Sequence, residues 1–364
     1  MNKKQARLYA LPAGQGDCIL FQFENDEGEF KHIIVDGGNR TILEFSKLKK
    51  VILEILQEGR DGNIDLLIVT HSDDDHISGV LKMLANEEIN RKIKKIWFNS
   101  EKSISDYFKT NFNKTQKYDV QEFVKGVAKS SRNQDYDLYH LLKNDHRWSE
   151  SIISAGKEKI IENLKITVLS PSIEKLKILN EYWPKMKLTG NRKINKSSGK
   201  QGFDHQQSYK EILSNLHKFE EDTSEVNGSS IALLLEWGRN KFLLLSDAHP
   251  SVIVESLKKF NLNKKIKIDA LKVSHHGSSK NTNDELLDLL DCENFIISSN
   301  ANKVHFHPDK RTLCRILKNN GFDKTNFYFT YDNQQLRSIF LSEENIKINF
   351  PENVEHGVCL SYEY

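Results

Sequence analysis

The sequence predicts an α/β fold of two halves, each a sheet with helices outside it, and three observations predict it. Short apolar runs such as Leu66-Leu67-Ile68-Val69, Ile231-Ala232-Leu233-Leu234-Leu235 and Phe242-Leu243-Leu244-Leu245 have strand length and lack alternation, as strands buried on both faces do. Stretches with apolar residues at helical spacing lie between such runs. Turns rich in His, Asp, Ser and Gly stand where the runs stop, and that is where α/β sheets present groups to a crevice.

Residues 7–38 read as two strands and a turn: Cys18-Ile19-Leu20-Phe21 follows the break at Gly14-Gln15-Gly16-Asp17, and residues 30–35 end in Asp36-Gly37-Gly38. Leu43, Phe45, Leu48, Ile52, Leu53, Ile55 and Leu56 place a helix over 42–57, stopped near Gly59. A strand over 64–69, a helix over 77–85 and a strand over 93–98 follow. From about 100 to 163 Lys, Asn and Ser increase, and the stretch reads as a helical insertion. A strand over 164–170 and a helix over 172–183 ended by Pro184 come next. The polar, basic stretch 188–202 reads as a loop within a second insertion, 172–225. The rhythm then repeats: a hairpin around Gly238-Arg239-Asn240, a helix over 251–260, a strand over 266–273, a helix over 283–290 and a strand over 294–298. His307-Pro308 opens a further helix to 317, and the C-terminal stretch offers only a strand around 346–350.

The 364 residues, 38% of them hydrophobic, suffice for a large core. With 53 basic against 51 acidic residues the formal charge is +2, so any surface for a polyanion must be local. Cys18, Cys292, Cys314 and Cys359 form no Cys-x-x-Cys pair and are expected as reduced thiols. The basic N-terminus is interrupted too soon for a signal peptide, and the apolar runs fall far short of the ~20 residues that cross a bilayer. A cytoplasmic protein without a membrane partner is expected.

The chemistry concentrates in Thr70-His71-Ser72-Asp73-Asp74-Asp75-His76-Ile77-Ser78-Gly79, a strand-to-helix turn. Helix capping needs one Asp and gives no role to His71 or His76, whereas a shared cation accounts for both imidazoles and the crowded carboxylates. Three later strand ends repeat the pattern: Ser246-Asp247-Ala248-His249, Ser274-His275-His276-Gly277-Ser278, and Asn300 with His305-Phe306-His307-Pro308. Alone, Asp247 reads equally well as a helix cap, and His249 as a surface residue of that cap.

His71-x-Asp73-x-Asp75-His76 resembles the His-x-His-x-Asp-His signature of the metallo-β-lactamase superfamily with Asp at its second His, the variant typical of the domain that ends the ComEC competence-channel proteins. The likeness continues through Gly14-Gln15-Gly16-Asp17, Val35-Asp36-Gly37-Gly38, Val168-Leu169-Ser170-Pro171, Asn227-Gly228-Ser229-Ser230, Leu245-Ser246-Asp247, Ser274-His275-His276-Gly277-Ser278 and His307-Pro308. It implies an αββα four-layer sandwich as one domain over 1–364, with the insertions at about 100–163 and 172–225. It also implies two divalent cations, Mn²⁺ or Zn²⁺ with Mg²⁺ compatible. By position one would take His71 and Asp73 and the other Asp75 and His76, with Asp247 between them and His275 or His276 completing the second. The family's further His has no clear counterpart, for His140, His146, His205 and His217 lie in that interval without a strand-end context.

Two such ions ~3.5–4 Å apart activate water and stabilise attacking and leaving oxygens, so no Ser or Cys nucleophile is needed. Asp75, Ser278 and His307 are the candidates for orienting the water and assisting the leaving group. A carboxylate at 73 makes the centre harder and more oxygen-rich, favouring Mn²⁺ or Mg²⁺ more than an all-imidazole set would, and suits a phosphodiester. Arg192, Lys193, Lys196 and Lys200 are candidate nucleic-acid contacts. The expected activity is a nuclease acting on DNA, with a regulatory protein partner compatible by analogy. Hydrolysis of small phosphoesters or nucleotides and a silent binding module are the alternatives.

Overall fold

A computed structural model describes residues 3–38, 42–110, 131–185, 204–260, 264–301, 306–341 and 345–364. Its strands are β1 (Gln5–Ala10), β2 (Ile19–Glu24), β3 (Phe30–Val35), β4 (Leu66–Val69), β5 (Ile96–Phe98), β6 (Glu158–Ile161), β7 (Leu164–Ser170), β8 (Ala232–Trp237), β9 (Asn240–Leu244), β10 (Ile266–Ile268), β11 (Ala270–Lys272), β12 (Leu290–Cys292), β13 (Asn294–Ile297), β14 (Asn326–Phe329), β15 (Lys347–Asn349) and β16 (Val358–Glu363). One sheet has the order β16-β1-β2-β3-β4-β5 and the other β15-β14-β13-β11-β9-β8-β7-β6, while β10 and β12 pair apart. In each large sheet an antiparallel portion joins a parallel one, at β3 in the first and β9 in the second.

Alternate residues of the central strands face opposite layers, which is why the apolar runs show no alternation. Leu66 and Ile68 of β4 meet Ile166, Leu233, Phe242 and Ile296 in a core between the sheets. Leu67 and Val69 turn the other way, onto Val51, Ile52 and Ile55 of the helix Ile42–Gln57 and Val80 and Met83 of the helix Asp74–Ala85. On the far side Leu243, Leu271 and Phe295 pack against Ile253 and Leu257 of the helix Pro250–Lys258 and Leu313 and Leu317 of the helix Lys310–Asn320. Helix, sheet, sheet, helix: the four-layer αββα sandwich is the architecture of the chain.

Several elements depart from the sequence reading. Residues 7–38 hold three strands, the added one being β1, whose outer neighbour is β16 at the other end of the chain. β6, expected within the first insertion, is an edge strand of the second sheet. The run 266–273 is two strands in different sheets, because Asp269 turns aside to pair with Lys241: its N–H donates to the Lys241 carbonyl and its Oδ2 accepts from the Lys241 N–H, both at 2.8 Å. The stretches expected as insertions meet in a satellite cluster of Ile104, Leu176, Leu179, Trp183 and Val226. The four cysteines are unbridged, three of them buried. No helix among the described residues is long and apolar enough to cross a membrane.

Candidate metal centre

The helix after β4 begins at Asp74, earlier than the apolar spacing indicates, so His76 is already helical and Asp73 occupies the N-cap position. Asp74 and Asp75 in the first turn complement the positive end of the helix. Two glycine loops close onto this turn. A Cβ on Gly16 would lie 1.5 Å from the Asp75 carbonyl oxygen, and one on Gly79 would lie 1.7 Å from that of Gly37, so neither backbone could approach with a side chain present.

Asp247, buried beyond the end of β9, lies at the middle of the cluster. Its Oδ1 is 3.4 Å from His76 Nε2 and 3.8 Å from His276 Nε2. Its Oδ2 is 3.9 Å from His71 Nε2 and 3.6 Å from His275 Nε2. Asp75 Oδ2 lies 3.2 Å from His276 Nε2, and Asp73 Oδ2 3.8 Å from His71 Nε2. Groups of ligand atoms from His71, His76 and Asp247, and from Asp75, His76 and His276, fall within 4.8 Å of one another.

Each imidazole is fixed through its other nitrogen. His76 Nδ1 lies 2.7 Å from Asp36 Oδ2, His71 Nδ1 3.0 Å from the Thr70 hydroxyl, His276 Nδ1 2.9 Å from the Ser298 carbonyl and His275 Nδ1 3.0 Å from Asn281 Oδ1. Thr70 Oγ1 in turn donates to Asp36, so it is an acceptor towards His71. A neutral ring therefore keeps its proton on Nδ1 and turns the Nε2 lone pair inward, the arrangement of imidazoles that bind metals. His71 Nε2, His76 Nε2, His276 Nε2 and Asp247 Oδ1 are buried without a hydrogen-bond partner among the described residues. Buried polar atoms left in this way are costly, and three imidazole nitrogens gathered around the Asp247 carboxylate fit bound cations.

The electrostatics divide the rings: burial acts downward on all four, but Asp247 and the neighbouring carboxylates outweigh it at His76, at His276 and at His275, which is raised to about 9, so those three rings hold their second proton until a cation displaces it. Burial, with His76 second, pushes His71 down to about 4, a neutral ring. Burial and then Asp75 push Asp73 up to about 6. For Asp247 burial acts upward, but His275, His76 and His276 outweigh it and hold the carboxyl well below the usual range. Asp247 is thus anionic and His71 a free base without any metal present.

No family model matches the chain. Among curated proteins it matches ComE operon protein 3 of Bacillus subtilis (strain 168), 34% identical over 92 residues; that is 25% of this chain and only 12% of the relative's length. Among solved structures, the metallo-beta-lactamase fold protein YhfI from Bacillus subtilis aligns over 99% of this chain and 100% of its own, at 10% identity and a TM-score of 0.43. A long form RNase Z from yeast aligns over 90% of this chain and 37% of its own, at 11% identity and a TM-score of 0.33. The four-layer architecture rests on the strand orders and core layers themselves.

Other expected residues fall around this centre. The His307 ring stands edge-on to His275 with centroids 5.2 Å apart, and Asp309 Oδ1 is 3.8 Å from its Nδ1. The contacts of Ser278 stay in its own turn: its N–H donates to the His275 carbonyl and its Oγ accepts from the Lys280 N–H. His249, expected at the surface, is buried, with Nδ1 2.8 Å from Lys175 Nζ, because the helix Ile173–Tyr182 lies over it. Arg192, Lys193, Lys196 and Lys200, together with His305, lie outside the described residues.

Sequence reasoning passed over Asp17 and Asp36, which it took for turn and strand-end residues. Asp17 pairs with buried Lys272 and lies 3.4 Å from His276 Nδ1. Asp36 accepts from the Thr70 N–H at 2.8 Å besides holding His76. A carboxylate behind an imidazole raises its basicity, so Asp36→Asn is expected to weaken Mn²⁺ binding about 10–100-fold while the fold persists, measurable by titration calorimetry. Unchanged affinity would remove Asp36 from this role.

Proposed function

We propose that the chain is a metal-dependent phosphodiester hydrolase of the metallo-β-lactamase type, acting as a nuclease on DNA. The observation that carries this reading is the set of four Nε2 atoms, each backed at Nδ1, turned onto the carboxylates of Asp73, Asp75 and Asp247. The cations would be held by His71, Asp73, Asp75, His76 and Asp247 with His275 or His276. Bound there, divalent ions supply Lewis acidity to a phosphoryl oxygen and lower the pKa of water. The mixed carboxylate and imidazole set supports Mn²⁺ first, with Zn²⁺ and Mg²⁺ compatible.

The protein's own groups do the positioning. Asp36 and Thr70 hold His76 and His71 in one tautomer, and Ser131, at the start of the helix Ser131–Leu142, donates to Asp73 and fixes its carboxylate. Asp75 is kept anionic, since His76 and His276 outweigh the upward push of burial, and can orient a water beside it by accepting its hydrogen bond. His307, backed by Asp309, stands where a leaving-group proton could be supplied.

The test is incubation of metal-stripped protein with linear, circular and single-stranded DNA, and with a chromogenic bis-phosphodiester, in separate Mn²⁺, Mg²⁺ and Zn²⁺ series. Cleavage of DNA dependent on Mn²⁺ is the expected result. Turnover of the small ester alone would move the substrate to small phosphoesters or nucleotides, and turnover of neither would overturn the hydrolase.

A further inference from the structure

We propose that His275 and His276 both bind metal, one at each of two cation sites divided by the oxygens of Asp247. The inference rests on the reading above only in taking the centre to hold divalent ions, and it assigns a ligand that the sequence resemblance left without a counterpart.

The division follows from which oxygen each ring faces. On the Oδ1 side of Asp247 lie His76 and His276, with Asp75 reaching His276. On the Oδ2 side lie His71 and His275, with Asp73 beside His71. Each oxygen of Asp247 therefore faces two imidazoles, with Asp75 beside one pair and Asp73 beside the other; the Oδ1 side is the more closely gathered, and His71 Nε2 also lies within 4.8 Å of His76 and Asp247.

Consecutive side chains on an ordinary strand point to opposite faces, so two adjacent rings reaching one carboxylate need an unusual backbone. The chain supplies it. His275 has φ 46 and ψ 53, and His276 has φ 54 and ψ 19, both in the left-handed region that is strained for a residue with a side chain. Strain of this kind persists where the surroundings enforce it, and they do so on both rings. Asn281, fully buried, accepts from His275 Nδ1 with its Oδ1 and donates from Nδ2 to Asp222 Oδ2 at 3.2 Å and to the Asp247 carbonyl at 3.3 Å. Asp222 itself lies 3.4 Å from His275 Nδ1. A ring merely exposed at a turn would need none of these anchors.

The histidines between the first turn and Asp247 leave the place open. His140, His146 and His217 are exposed, and His205 Nε2 lies 2.7 Å from the Pro308 carbonyl. His275, arriving from a later strand end, fills the Oδ2 side in their stead.

The test replaces each ring by glycine, which adopts positive φ freely and so removes the imidazole without adding strain. Metal-stripped wild type, His275→Gly and His276→Gly are loaded with Mn²⁺, desalted and measured for metal content, and their electron paramagnetic resonance spectra are recorded. Wild type should retain two ions with the signal of a coupled pair. Each variant should retain one, with the signal of an isolated ion. Should either glycine variant fail to fold by circular dichroism, His275→Asn and His276→Asn, which also tolerate this backbone region, repeat the measurement. Two coupled ions in a His275 variant would overturn the assignment, as would a wild type that binds none. A wild type that binds two ions yet cleaves no phosphodiester would sink the proposed reaction and leave the ligand assignment standing.

Discussion

Asp247→Asn lowers metal-dependent turnover by roughly 10³-fold or more while the protein still unfolds cooperatively. The amide keeps the shape of the carboxylate but loses its charge and presents an N–H₂ to two of the four imidazoles that face it. With Asp247 as the metal ligand proposed above, its loss would remove several kcal/mol of charge stabilisation, and about 4 kcal/mol corresponds to that factor. His71→Ala is the cleaner companion. Its ring is held neutral, so the deletion strands no counter-charge, whereas Asp247→Asn also takes the partner of His275 and His76 out of a buried cluster. Steady-state rates at saturating Mn²⁺, with circular dichroism melts, check both. Full activity in either variant would place the chemistry elsewhere.

Chelation gives the second large effect. Asp17, Asp36, Asp73, Asp75 and Asp247 crowd one region, and Asp73 is already pushed towards its neutral form by burial and by Asp75. An ion that binds the folded chain alone stabilises it by about 2.7 kcal/mol when present at 100 times its dissociation constant. The thermal midpoint is expected to rise with each decade of Mn²⁺, to fall on adding EDTA, and to respond far less in Asp247→Asn. A midpoint indifferent to both additions would mean that no cation is bound in the folded protein.

Much of this centre was legible because its signals are local. The helix Ile42–Gln57 was read with its observed limits from apolar spacing and the stop near Gly59, and the first His and Asp turn stands out within ten residues. What stayed hidden depends on partners far away in the chain. β16, Val358-Cys359-Leu360-Ser361-Tyr362-Glu363, is a single short run without a turn signal, half of whose residues are exposed, and its pairing with β1 at the other end of the chain is what makes it a strand. Asp17 reads as a turn residue until Lys272 is brought beside it, and His249 reads as exposed until Lys175 is laid over it. The choice between His275 and His276 had no sequence answer because it depends on backbone angles that neither residue type dictates.

The contacts that close the centre join distant parts of the chain. Ser246 Oγ donates to Thr70 Oγ1 across 176 residues, and Ser298 Oγ to the Gly16 carbonyl across 282. An unfolded chain has no cheap way to gather such ligands, so the ion cannot act as a nucleus. Non-local docking of the two sheets, which is slow to form, is expected to precede the gathering of these side chains. A divalent ion held at the proposed centre would then be a clasp closed last. It would prolong the lifetime of the native state by slowing its opening and leave the rate of refolding almost untouched.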